Sequence, residues 1–269
     1  MEIGVSTACF YPEPTECIPE KLGRIGVTCA EVFLNSFSEY DEDYCKRLRE
    51  KMDGAGVRTV SVHSFVAMHE PFLFSEYKRR ADDALCVYKK VIRAAEILGA
   101  KYHTFHGARA ELLNENFDMR NFAEKLDNLA DLAGEKGLML ALENVCWCTT
   151  KNPQFIADCR QYSRSENLGF TLDLKQARRA NFNFLEYAKI FSDRLVNVHV
   201  SDADLTSDCL LPGCGNVDFC AVLQAFCDLG YTGDLIIEVY NNAVGSEADL
   251  SASVDYLRKT VKTREKHIK

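Results

Sequence analysis

The chain has 269 residues, 47% of them hydrophobic, with six prolines and no Gly/Ser-rich or low-complexity stretch to mark a linker, so it reads as one large domain. A net charge of −8, with no basic cluster beyond short Lys/Arg pairs, disfavours a broad electrostatic grip on nucleic acid. The start, Met1-Glu2-Ile3-Gly4-Val5, lacks the features of a signal peptide, no window reaches the roughly 18 apolar residues of a membrane span, and the twelve cysteines are scattered without a CxxC pair, which predicts reduced thiols in a cytoplasmic protein.

In chain order, Ile3–Thr7 predicts a strand and Glu16–Ile25 a short helix ended by Gly26. Cys29–Leu34 predicts a second strand, Asp41–Met52 a charged helix, and Val57–Val62 a third strand ending at His63. A loop, Ser64–Glu76, carries His69-Glu70-Pro71 and leads to a long amphipathic helix, Asp82–Leu98, capped by Gly99. Lys101–Gly107 is a fourth strand with its exit turn. The next helix, Phe117–Lys136, shows Phe122, Leu126, Leu129 and Leu132-Ala133 at helical spacing. Leu138–Val145 predicts the fifth strand, Asn152-Pro153 starts a helix, and Leu168–Leu172 is the sixth strand. The helix Phe184–Phe191, the strand Leu195–Val200, the helix Val217–Leu229, the strand Leu235–Val239 and the helix Glu247–Lys262 complete the series. Strict alternation implies parallel strands with crossover helices, and eight such units in a chain near ~250 residues predict a single-domain α/β fold, a (β/α)8 TIM barrel spanning residues 1–269. An open doubly wound sheet is the alternative.

Four apolar runs end in a side chain able to bind a metal: Glu143, Asp173, His199 and Glu238. An ionised carboxylate is costly to bury without a cation beside it. Taken singly, a strand-end Glu is more often an ion-pair partner or a helix-cap acceptor than a ligand. In a barrel, however, the C-terminal strand ends converge on one mouth. That mouth would receive His63, His106, Glu143, Asp173, His199 and Glu238, with Glu31 reaching it from inside the second strand or pairing with a cation there. His103 and His106 are spaced so that they face opposite sides of their strand, which puts His103 on the helix side. His69 is a loop candidate, and His267 is expected to be solvated in the basic tail. Cys146-Trp147-Cys148, just past Glu143, is read as part of the site wall or as packing.

With its order of short segments, Val60-Ser61-Val62-His63, Phe105-His106-Gly107, Leu142-Glu143-Asn144, Leu172-Asp173, Val198-His199-Val200-Ser201-Asp202, Pro212-Gly213-Cys214-Gly215-Asn216-Val217-Asp218-Phe219 and Ile237-Glu238, the chain resembles the xylose-isomerase-like barrel superfamily. That superfamily contains sugar-phosphate isomerases and epimerases, a ketose 3-epimerase branch and the endonuclease IV group. The resemblance implies one divalent metal held by Glu143, Asp173, His199 and Glu238. Three carboxylates and an imidazole suit Mn²⁺ first, with Mg²⁺, Co²⁺ or Zn²⁺ as alternatives. It also implies that Glu143 and Glu238 exchange a substrate proton next to a carbonyl through an enediolate, and that His63 and His106 contact substrate hydroxyls or support the metal ligands from behind; a structural hydrogen bond is the other reading of His63. Trp147 is a candidate stacking platform.

The match departs at three places. Gln176 stands where family members commonly have a His three residues after the sixth-strand Asp; it can bond a sugar hydroxyl but is a poor ligand. Leu205-Thr206 replaces an Arg usual in the epimerases, and a charged neighbour of the Gly-x-Gly loop is missing. Asp202-Ala203-Asp204 offers carboxylates but no His for a multi-metal cluster, which weakens a phosphodiester hydrolase reading. Lys175, Arg178 and Arg179 either recognise a substrate anion or form a solvated helix start. The expectation is a metal-dependent isomerase or epimerase of a sugar or sugar phosphate. An inosose-type dehydratase on the same site, an endonuclease IV-like hydrolase and a non-catalytic sugar-binding barrel are the alternatives. The expected partner is a small carbohydrate, and barrels of this kind often form homo-oligomers.

Overall fold

Eight parallel strands hydrogen-bond in sequence order, and the last pairs with the first, so the sheet closes on itself. The computed structural model describes residues 1–65, 69–113 and 115–265; His267 and positions 66–68 of the predicted loop lie outside the described residues. The strands are β1 Ile3–Ser6, β2 Cys29–Leu34, β3 Arg58–Ser64, β4 Tyr102–Phe105, β5 Met139–Glu143, β6 Leu168–Asp173, β7 Leu195–Val200 and β8 Leu235–Ile237. The helices among the described residues are α1 Ile18–Arg24, α2 Glu42–Gly54, α3 Glu70–Leu73, α4 Lys78–Leu98, α5 Met119–Gly134, α6 Pro153–Tyr162, α7 Leu174–Arg179, α8 Phe184–Phe191, α9 Phe219–Asp228 and α10 Glu247–Glu265. The single (β/α)8 barrel is thus as expected, and the open sheet is excluded because β1 and β8 pair through Ile3 with Leu235 and Gly4 with Ile236.

Both faces of the sheet are covered, one by the barrel interior and the other by helices, which explains why the strands read as unbroken apolar runs. All six residues of β6 and all four of β1 are buried. A side chain at Gly4 would stand 2.6 Å from Ile236 Cδ1 and 2.7 Å from the Cys29 carbonyl oxygen, so this close approach requires glycine. The helices present matching faces. In α5, Phe122, Leu126, Leu129 and Ala133 are buried at the predicted spacing, and Asp118 caps its start by accepting from Arg120 N and Asn121 N. Asn152 caps α6 ahead of Pro153, as its sequence suggests. His103 faces outward on β4, with its ring 5.6 Å from that of Tyr88 in α4.

Two departures concern the loops. The predicted helix Glu16–Ile25 divides into a 3-10 turn, Thr15–Cys17, and α1, because Pro19 can only occupy the first turn of an α-helix. The segment after β6, where Lys175, Arg178 and Arg179 offer a helix start, forms α7, only six residues long and too short to show a periodicity. No helix among the described residues is long and apolar enough to cross a membrane, and all twelve cysteines are free.

Candidate metal centre and active site

Four strand ends deliver the ligand candidates. Glu143 closes β5, Asp173 closes β6, His199 is the penultimate residue of β7, and Glu238 directly follows β8. One potential ligand atom from each lies within 4.8 Å of all the others. His199 Nδ1 is at the centre, 3.3 Å from Glu143 Oε1, 3.3 Å from Glu238 Oε2 and 3.9 Å from Asp173 Oδ2. Glu143 Oε2, Asp173 Oδ2 and His199 Nδ1 are buried and have charged neighbours, yet none has a hydrogen-bond partner. Buried polar atoms are rarely left so, and three that converge with Glu238 form a donor set of carboxylates and one imidazole that fits a divalent cation.

The ligands are held from behind. Asp173 Oδ1 accepts from Gln176 N at 2.8 Å, so Asp173 caps α7, and the Asn144 side chain bonds the Asp173 main chain on both sides. Glu31 lies inside the barrel, fully buried beneath the mouth, next to a register shift between Ala30 and Glu31 in the pairing of β2 with β3. Its Oε2 accepts from Ser61 Oγ at 2.7 Å and Thr104 Oγ1 at 2.8 Å, and stands 3.0 Å from His199 Nε2. This carboxylate–histidine pair turns Nδ1 of the ring toward the ligand cluster. The sequence left Glu31 open between site and ion pair; it supports a ligand from below and does not reach the mouth.

The histidine pair stands beside Glu143. His63 Nε2 and His106 Nε2 are 2.9 Å apart, and His106 Nε2 is 3.2 Å from Glu143 Oε2. His63 stacks on Phe33 with centroids 4.5 Å apart, and Trp147 meets His106 edge-on at 5.3 Å. Trp147 therefore flanks the histidine pair, with the Arg109 guanidinium 5.3 Å from its ring. His69 instead packs edge-on against Phe37. Glu70, passed over in the sequence, is buried at the N-terminus of α3 and accepts from His106 N at 2.7 Å and Gly107 N at 3.1 Å, so it fixes the exit turn of β4. The only signal for it was the adjacent Pro71.

The cations after β6 are the main surprise. Lys175, expected either to meet a substrate anion or to be solvated, is 3% exposed. Its Nζ lies 3.4 Å from Asp173 Oδ2 and 3.3 Å from Glu238 Oε2, inside the ligand cluster. Arg178 donates to the Ser201 and Asp208 carbonyls and to Ser201 Oγ, while Arg179 grips Asp208 and the Tyr240 hydroxyl. The solvated helix start is therefore corrected: α7 packs over the mouth and its charges find carboxylates and carbonyls of neighbouring loops. Gln176 spends its side-chain oxygen on Cys146 N at 3.1 Å, joining the loops after β5 and β6.

The charges follow from this crowding. Burial pushes the Glu143 carboxyl up, but the imidazoles of His106, His199 and His63 beside it favour its charged form and hold it well below the usual range. Burial likewise opposes ionisation of Glu238, and Lys175 and His199 outweigh it. Asp173 goes the other way: burial, then Glu143 and Glu238, raise it to about 6 despite Lys175. Burial disfavours the imidazolium of His63, but Glu143 and the other carboxylates lift it to about 9; Glu31 and Glu238 similarly lift His199.

A cavity of about 480 Å³ opens directly onto Glu238 and Lys175 at the mouth. Asp202, considered for a multi-metal cluster, is instead consumed by backbone: its carboxylate accepts from the N–H groups of Ala203, Gly213, Gly215 and Val217. A side chain at Gly215 would meet the Ala203 carbonyl and Asp202 Oδ1 at 2.5 Å, so the loop Gly213-Cys214-Gly215 is built around that carboxylate.

Comparison with known proteins agrees with the closed barrel. The solved structure of a D-tagatose 3-epimerase-like protein superposes with a TM-score of 0.82 at 20% identity, covering 100% of both chains. D-psicose 3-epimerase from Clostridium cellulolyticum H10, solved with D-tagatose, gives a TM-score of 0.79 at 15% identity over 97% of this chain and 99% of the other. An IolI protein solved with a bound zinc atom gives 0.74 at 18% identity over 99% of each chain. The family model described as xylose isomerase-like TIM barrel matches residues 19–260, and this chain, with its closed barrel and its four ligand candidates at the strand ends, belongs to that family.

Proposed function

We propose that this protein is a divalent-metal-dependent isomerase or epimerase that moves a proton next to the carbonyl of a sugar or sugar phosphate through an enediolate. The observation that carries the reading is the convergence of Glu143, Asp173, His199 and Glu238 around three buried atoms that have charged neighbours but no hydrogen-bond partner. Glu143, Asp173, His199 and Glu238 would hold the ion, which when bound supplies Lewis acidity for the carbonyl oxygen of the substrate. Glu238 meets the cavity, so it is the carboxylate placed to take or return the substrate proton from that side. Glu143, held ionised beside three histidines and set behind Glu238 rather than on the cavity wall, serves the opposite side of the same carbon. His106 and His63 stand ready to bond substrate hydroxyls. The likeness to ketose 3-epimerases supports the sugar substrate, and the zinc in the IolI protein supports a metal without fixing which one. His63, His106 and Glu143 form a second group that could hold an ion, so the number of metals bound separates a hydrolase from an isomerase, while Asp202 is committed to backbone and offers no further ligand. Twelve unpaired thiols support a reducing, cytoplasmic setting.

The test is metal content with solvent-deuterium incorporation. About one equivalent of Mn, Mg, Co or Zn, together with exchange of the proton next to the carbonyl in a panel of ketoses, is expected, and Glu238→Gln abolishes the exchange. Loss of water from the substrate would make the protein a dehydratase. Two or three zinc ions would favour a hydrolase, and no metal after reconstitution overturns the proposal.

A further inference from the structure

The strand ends that carry His63 and His106 are only partly joined. The ladder between β3 and β4 runs from Ser61 with Tyr102 to His63 with Thr104. Past it, β3 ends at Ser64 and the chain turns out of β4 at His106 and Gly107, yet the two imidazoles stay 2.9 Å apart. Glu70 secures the β4 side, since its Oε2 accepts from His106 N and Gly107 N. Its Oε1 is buried and has no hydrogen-bond partner.

A small cavity adjoins that carboxylate. Its polar lining is Ser64, His69, Glu70, Tyr88 and His103, and the rest of its wall is apolar. Ser64, Glu70 and His103 are each 1% exposed. Ser64 Oγ, Glu70 Oε1 and both ring nitrogens of His103 lack a hydrogen-bond partner, whereas the Tyr88 hydroxyl is spent on the Leu129 carbonyl. One orphaned buried atom is uncommon, and four on the residues of one cavity mark a bound species. The volume, about 10 Å³, is room for one water molecule and nothing larger. The lining excludes a metal cation, because one carboxylate and a lone imidazole are too few ligands. Water both donates and accepts, and in such sites makes about three hydrogen bonds. It can donate to Glu70 Oε1 and to one nitrogen of the neutral His103 ring, and accept from Ser64 Oγ.

We propose that this cavity binds one water molecule bridging Glu70 Oε1, Ser64 Oγ and the His103 ring, and that through it Glu70 is a positioning residue of the His63–His106 pair. The water ties the end of β3 to a carboxylate already fixed on the exit turn of β4, so the two strand ends keep their separation where the ladder has stopped. The pair's place in an active site rests on the isomerase reading; the water site does not. The experiment begins with a crystal structure of the full chain that shows ordered water, where density is expected within about 3.2 Å of Glu70 Oε1 and Ser64 Oγ. A cavity without density, or a direct bond to Ser64 Oγ from the neighbouring Tyr40 hydroxyl in its place, overturns the proposal. In solution, oxygen-17 relaxation dispersion should count one long-lived water fewer in Glu70→Leu and in Ser64→Val than in the parent. Nitrogen-15 spectra read the positioning. The His63 and His106 signals should shift in both variants and return to the parental pattern in Glu70→Gln, whose amide still accepts from the two N–H groups and donates to the water. Should Glu70→Leu not fold, as circular dichroism will check, Ser64→Val carries the same comparison. A water count equal in all the folded variants, or histidine signals that stay parental where the water is lost, overturns the proposal as well. None of these readouts uses turnover. A chain inert on every ketose would therefore defeat the isomerase reading and leave this inference standing, and deuterium exchange in a chain without this water would do the reverse.

Discussion

His199 Nε2 lies 3.0 Å from Glu31 Oε2, and the two residues are 168 positions apart in sequence. The contact fixes which ring nitrogen faces Glu143 and Glu238, and it leaves His199 Nδ1 as the free ligand atom. Outer carboxylates of this kind typically contribute 10–100-fold to metal affinity. Glu31→Gln should therefore weaken metal binding by about that factor while the barrel stays folded. Competition with a fluorescent chelator measures it, and an unchanged affinity would show that Glu31 only packs.

Lys175 is an internal cation in a site built for another. Its ammonium, 3.3 and 3.4 Å from Glu238 and Asp173, offsets part of the repulsion among the carboxylates when no metal is bound. Lys175→Met should lower the Tm of the metal-free protein and raise metal affinity by roughly tenfold or more, because one competing charge is gone. Thermal melts with and without metal test both halves at once. A smaller metal-induced Tm rise in the variant would mean that Lys175 assists binding.

Metal uptake should depend on pH in a defined direction. Burial first, then Glu143 and Glu238, raise Asp173 to about 6, so below that pH a proton occupies a ligand. His199 keeps its proton well above the ordinary imidazole range, since Glu31 and Glu238 outweigh its burial. Binding must displace these protons, so affinity rises with pH through neutrality and falls more steeply below about 6, by up to tenfold per unit for each proton released. Calorimetry in two buffers of different ionisation enthalpy counts the protons. Affinity constant from pH 5.5 to 8 would contradict the assignment.

His103 predicts a pH dependence of stability that arises mainly from burial outside the ligand cluster. It is buried against Tyr88, and neither ring nitrogen has a hydrogen-bond partner. Burial, then the charges of His63 and His106, depress it from 6.5 to about 3. The folded state thus refuses a proton that the unfolded chain accepts. Its contribution is neutral above pH 6.5 and is lost as pH falls toward 3, at up to about 1.4 kcal/mol per unit. His103→Phe should lose about 1–2 kcal/mol less than the parent between pH 7 and pH 5 in urea titrations. Parallel losses would mean that the ring is charged in the fold.

The alternation of elements was legible because it is local. Apolar runs such as Leu138–Val145 and helical spacings such as Phe122, Leu126 and Leu129 report covered faces wherever the chain goes next. The ligand candidates were legible one step further, since residues at the C-terminal ends of parallel strands must share one end of the barrel. Loops followed other rules. Asp202 looked like a spare carboxylate until four backbone N–H groups closed on it. Gln176 looked like a substrate contact, yet its oxygen bonds Cys146 N from the neighbouring loop.

By itself, then, the sequence determined an eightfold β/α repeat and the residue types at each strand end, because periodicity and strand termination are set within a few residues. Only the tertiary structure decided that Lys175 is a buried partner of Glu238, 63 residues away, and not a solvated charge. The same holds for Glu31 beneath His199. These contacts exist because β8 returns to β1 and brings distant loops over one opening. A cation's neighbours, and hence its burial and its charge, are fixed by that closure, on which the local pattern around Lys175 carries no information.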